Sequence, residues 1–130
     1  MLVIRQAQID AMIKGTDEEF ETFLMNHARD EFPEKTEDID DENLRSMVRS
    51  GIKRAESHGF TTAEDITAFL SIMFEVAPNF DEQPKIREVL GDTRFTPRDR
   101  FEILWSPAVT EENWEEAAEN SNDDAWNTDQ

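Results

Sequence analysis

The chain has 130 residues, 37% of them hydrophobic and 34% charged, with a formal net charge of −18 and no cysteine. Without thiols there is neither a disulfide framework nor thiolate metal or redox chemistry. A chain this negative is repelled by the phosphate backbone of nucleic acid and by anionic membrane surfaces, and its length predicts one domain with a lean core.

The opening stretch, MLVIRQAQID, has no apolar h-region. No segment approaches about 18 uncharged apolar residues, so the expectation is a cytoplasmic protein. Gln6 to Lys14 places Ile9, Met12 and Ile13 at helical spacing before Gly15, which predicts a two-turn helix. Thr16 and Glu19 then have the form of a capping box, opening a helix to about Phe32 with Phe20, Phe23, Leu24 and His27 on one face. Pro33 stops it.

An acidic loop follows, and Asp40 is an N-cap candidate, with Ile39 placed to staple onto Leu44. The helix Asp40–His58 carries Leu44, Met47, Val48, Gly51, Ile52 and Ala55 on one face, and Gly59 ends it. Thr61 and Glu64 predict the start of the most apolar helix, with Ile66, Phe69, Leu70, Met73, Phe74 and Ala77 on its stripe and Pro78 as its stop. The short link at Gly59 and Phe60 makes these two helices neighbours. Gly51 costs about 1 kcal/mol relative to alanine inside a helix, so it marks a close approach.

Shorter helices are expected at Pro84–Leu90, before Gly91, and after Thr96-Pro97, with Phe101, Leu104 and Trp105 on one face. Glu111–Glu119 is a further acidic helix with Trp114 and Ala118 as its apolar side, and 120–130 is expected to lack fixed structure. The reading is an all-α fold: a compact bundle of three main helices with short flanking ones. The helical domain spans 1–106, and 107–130 forms an acidic tail.

The acid is unevenly distributed. Asp17 to Glu42 holds twelve carboxylates against Arg29 and Lys35, and Ser106 to Gln130 holds eight with no Lys or Arg. Together these stretches carry the net charge. Two readings stand side by side: solvated surface, as in a salt-adapted organism, or a face that meets a basic partner.

Catalytic signals are missing. The two histidines, His27 and His58, lack the His-Glu-x-x-His spacing of a zinc peptidase. Asp38-x-Asp40-x-Glu42 opens like a calcium loop, but Asn43 stands where the glycine belongs and Arg49 where the final glutamate belongs. No Gly-x-Ser-x-Gly elbow or phosphate-binding glycine loop is present. The expectation is therefore no enzyme, no metal and no cofactor.

Nine Phe and no Tyr point to packing, whereas the three Trp residues come late and among acids. Sparse aromatics among carboxylates suit docking into a basic, apolar groove of another protein. Phe80, Asp81, Trp105, Trp114 and Trp126 are the candidate partner-binding residues.

Val3-Ile4-Arg5-x-x-Gln8, Phe32-Pro33-Glu34, Ala55-x-x-x-Gly59 and Pro78-Asn79-Phe80-Asp81 together resemble a family of small, largely uncharacterised bacterial proteins. Its members are often encoded beside type VI secretion or contractile injection components and their effectors. The resemblance spans roughly residues 1 to 104, on short structural motifs. It implies an adaptor or chaperone-like accessory of a secreted effector, spike or toxin, with no catalytic residues to transfer. The acidity suggests an alternative, an inhibitor or immunity protein covering the basic active site of a toxin.

Overall fold

The computed structural model describes residues 17–127. Among them every regular element is helical. The α-helices are α1 (Asp17–Glu31), α2 (Pro33–Thr36), α3 (Asp41–Ser57), α4 (Ala63–Glu75), α5 (Pro84–Leu90), α6 (Pro97–Leu104) and α7 (Glu111–Glu119). Two 3-10 turns, Phe80–Glu82 and Asp123–Asn127, complete the order. The helix expected over Gln6–Lys14, and the cap at Thr16, lie outside the described residues.

Local chemistry sets the helix ends. The Asp40, Thr62, Thr96 and Thr110 side chains each accept the backbone N–H three residues on, satisfying a donor with no partner inside the helix. At α4 the cap is Thr62, one residue beyond the expected Thr61. Phe60 is fully buried, and Thr62 is the residue held in the extended conformation of a cap. At the end of α3, Gly59 takes φ 88°, and the amides of Gly59 and Phe60 donate to the carbonyls of Glu56 and Ala55. This Schellman arrangement needs a left-handed residue, which glycine supplies without a Cβ clash.

Helices α1, α3 and α4 pack against one another, and α5, α6, α7 and the turn at Phe80 close one end. Leu44, Val48 and Ala55 of α3 share one core with Phe69, Leu70, Met73 and Phe74 of α4, and Met47 and Ile52 pack at its edge. Lys35 closes the far end of α4, donating to the carbonyls of Phe74 and Glu75 at 2.5 and 3.0 Å. A cation there complements the negative end of the helix dipole.

Gly51 is buried inside α3, and a Cβ there would lie 2.3 Å from Leu70 Cδ1. The Leu70 side chain of α4, with Met73 beside it, fills the space a side chain at 51 would need. Gly51→Leu is expected to destabilise the protein by about 1–3 kcal/mol through overpacking. Gly51→Ala should cost less, because alanine regains about 1 kcal/mol of helix propensity. Urea unfolding of the three proteins checks the order; a leucine variant as stable as the parent would remove the close approach.

The C-terminal region departs from expectation. Residues after 106 do not form a separate tail, since Val109 and Ala117 belong to the core and Trp114 packs against it. In α7 the inward residue beside Trp114 is Ala117, one helical turn away, and Ala118 faces solvent. Asp123–Asn127 is a helical turn against α3, with Ala125 buried. Trp126 packs on Phe74 with the rings tilted by 40° and 4.9 Å between their centres, and the Ser50 hydroxyl donates to its carbonyl.

Asn79 clamps the approach to this turn: its amide N–H donates to Asn120 O at 2.9 Å, and its carbonyl accepts from Asn122 N–H at 2.8 Å. The segment is held by two apolar anchors and paired backbone groups, which together offset the ordering cost that composition alone suggested would prevail. Arg45 and Arg49 pair with Glu21, and Arg54 pairs with Asp81. Trp126→Ala should cost about 1–3 kcal/mol. The check is the urea midpoint, and an unchanged midpoint would show that the turn adds nothing to the fold.

Candidate functional site

Pro78-Asn79-Phe80-Asp81 is where three parts of the chain meet. Pro78 lies two residues beyond Val76, the C-cap of α4, and is buried. Asn79 holds the C-terminal approach, as above. Phe80 is fully buried and sits 4.9 Å from Phe69 on one side and 6.3 Å from Trp114 on the other. Asp81 is 5% exposed and turns inward.

Around Asp81 the contacts are dense. Arg54 donates from Nε and Nη2 to Oδ1 at 2.9 and 2.7 Å, and His58 Nε2 lies 2.7 Å from Oδ2. Arg54 also meets Glu82 at 3.0 Å. Burial opposes ionisation of Asp81, but the hydrogen bonds from His58 and Arg54 outweigh it, so the carboxyl titrates below the usual carboxylate range. Asp81 is a buried tie between α3 and the Phe80 turn, and Phe80 and Asp81 are therefore not docking residues. Arg100, which sequence reasoning passed over, ties α6 to the same end. It is buried, donates to the carbonyls of His58 and Phe95 at 2.8 and 3.0 Å, and lies 5.9 Å from the Phe60 ring centre.

Trp105 and Trp114 come together. Trp105 is the C-cap of α6, its amide bonded back to Phe101 and Glu102, and the Ser106 hydroxyl fastens the next turn onto Ile103 O. Thr110 and Asn113 form a reciprocal capping box that starts α7 and orients Trp114. The two indoles stack at 5.2 Å, only 14° from parallel. An aromatic column therefore runs from Trp105 at the surface through Trp114 and Phe80 to Phe69 in the core. Trp105 itself is 64% exposed. Trp126 lies elsewhere, in a groove of about 540 Å³ lined also by Met47, Met73, Phe74 and Pro78.

The described cations are mostly occupied within the fold. Arg29, Arg45, Arg49, Arg54, Lys85, Arg94 and Arg98 each meet a carboxylate, and Lys35 and Arg100 meet backbone carbonyls. Glu21 receives both Arg45 and Arg49. Burial works against its charge, and the two guanidinium groups overcome this and lower its pKa. The outward field is left to the unpaired acids, among them those of α7.

His27 is buried on α1, with Nε2 2.9 Å from Ser71 Oγ and Phe23 stacked beside it. Burial holds its pKa below the usual value against the pull of Glu31 and Asp30. Among the described residues no cluster of three or more His, Asp or Glu could hold a metal ion. No helix among them is long and apolar enough to cross a membrane. No family model matches the chain, and neither a curated protein nor a solved structure does.

Proposed function

We propose that this is a non-catalytic protein-binding accessory that docks a basic protein partner through its acidic C-terminal third. The observation that carries the reading is Trp105, an exposed indole fixed on a second indole in a region with no Lys or Arg after Arg100. Large exposed aromatics with water-excluding neighbours are the anchors of protein interfaces. The setting we propose, from the motif resemblance, is a bacterial secretion or contractile injection apparatus. The chain would act there as adaptor or chaperone for an effector, spike or toxin.

A second reading is favoured by the internal pairing of the cations. A surface so acidic suits an inhibitor or immunity protein that covers a basic toxin site and is steered to it rapidly at low salt. Co-expression of the full chain with the products of neighbouring genes, followed by gel filtration, tests the first reading. The expected result is a stoichiometric complex that Trp105→Ala weakens. Neighbouring products that elute alone, or a complex indifferent to Trp105, would overturn it. Rescue of cells making a neighbouring toxin would assign the second reading.

A further inference from the structure

Resting on that reading of the face, we propose that Trp105 is an arginine-recognition platform, its outer indole face stacking a guanidinium group presented by the partner protein. Three observations converge. One face of the indole is covered by Trp114, parallel within 14°, while 64% of the residue's surface stays in water. The ring is held in place before any partner arrives, so binding loses little side-chain freedom. Carboxylates flank it in the chain: exposed Glu102 lies one helical turn before Trp105, exposed Glu111 one turn before Trp114, and no Lys or Arg follows Arg100.

This combination selects among occupants. A guanidinium is planar, weakly hydrated and always charged, so it stacks on an aromatic face while its N–H groups reach carboxylates. A lysine ammonium is a strongly hydrated point charge and gains less from the ring. A nucleobase would bring phosphates into an acidic field. A second copy would bring another net charge of −18.

The experiment uses the full chain and two synthetic peptides, one alternating arginine and glycine, the other alternating lysine and glycine. Affinity is measured by calorimetry at low and at physiological salt. The arginine peptide should bind about three- to tenfold tighter than the lysine peptide, with the preference surviving the higher salt better than the total affinity does. Trp105→Ala should abolish the preference and leave a weak, salt-sensitive affinity equal for both peptides. Trp105→Phe should retain part of it. Circular dichroism of each variant checks folding, and the exposed ring makes loss of the fold unexpected.

Equal affinities for the two peptides, or a preference that persists in Trp105→Ala, would overturn the proposal. So would a Trp105-dependent dimer on gel filtration, or Trp105-dependent binding of a single-stranded oligonucleotide. If the peptides are not distinguished but a stoichiometric, Trp105-dependent complex still forms, the docking face stands and arginine recognition falls. If neither is seen, both fall.

Discussion

Phe69→Ala is expected to lower stability by about 3–5 kcal/mol, the range for truncating a buried aromatic. Phe69 is fully buried in α4 and touches rings from three directions: Phe60 at 5.8 Å, Phe80 at 4.9 Å and His58 at 5.6 Å. These neighbours come from the α3–α4 link, the Phe80 turn and the end of α3. The cavity would thus open where several elements converge, and none can collapse into it without dragging another. For a domain of this size the melting temperature should fall by roughly 10–20 °C. Thermal unfolding followed by circular dichroism measures it. A fall of only a degree or two would show that the site collapses freely and that the aromatic column is not a rigid unit.

Asp81→Ala should also cost about 3–5 kcal/mol, by a different route. The substitution leaves the Arg54 guanidinium, whose side chain is only 12% exposed, with the more exposed Glu82 as its remaining acid. Removing one partner of a buried ion pair is far more damaging than its net contribution suggests, because the other charge stays desolvated. The pH dependence has a defined sign. The folded-state pKa of Asp81 is depressed, so its contribution is present above the unfolded carboxylate value of about 4 and is lost as pH falls through the folded value. His27, a base whose folded pKa is also depressed, acts in another window: its contribution declines as pH falls below about 6.5. Stability measured by urea unfolding from pH 7 to pH 2 should therefore decline in two stages. Asp81→Asn should flatten the lower stage and spare the upper. A lower stage unchanged in Asp81→Asn would exclude Asp81 as its source and leave other paired carboxylates such as Glu21 and Asp92 to account for it.

The Pro78–Asp81 segment explains why short motifs can be informative about fold while saying nothing of chemistry. After the proline that follows α4, Asn79, Phe80 and Asp81 each meet a different distant element, through an amide clamp, a ring and a carboxylate. Such a segment constrains a structure tightly, and the polar side chains of Asn79 and Asp81 are both engaged within the fold. The most exposed large aromatic is instead Trp105, among short turns and acidic helix faces.

Helix positions were legible from residues alone because capping is local. Asp40 and Thr96 cap helices through side-chain bonds to residues three positions on, and Gly59 ends α3 through bonds spanning five residues or fewer. The apolar stripes of α3 and α4 were legible for the same reason, as helical periodicity needs no knowledge of the partner. Gly51 could be singled out because a mid-helix glycine opposes propensity and so requires a packing reason.

Which aromatics face water was decided by the tertiary structure. Trp105 and Trp126 both lie among acids, and composition treats them alike. Trp126 is drawn in because Phe74, Ser50 and Asn79, all distant along the chain, offer a ring and hydrogen bonds to its segment. Trp105 stays out because Trp114, its one ring partner among the described residues, covers a single face. The inward turn of Asp81 has the same origin, since its partners Arg54 and His58 are 27 and 23 positions earlier. Local hydrogen-bonding rules act over a few residues and survive in the sequence. Burial and charge pairing depend on groups brought close only when the helices pack, and there the fate of each acid and each tryptophan was settled.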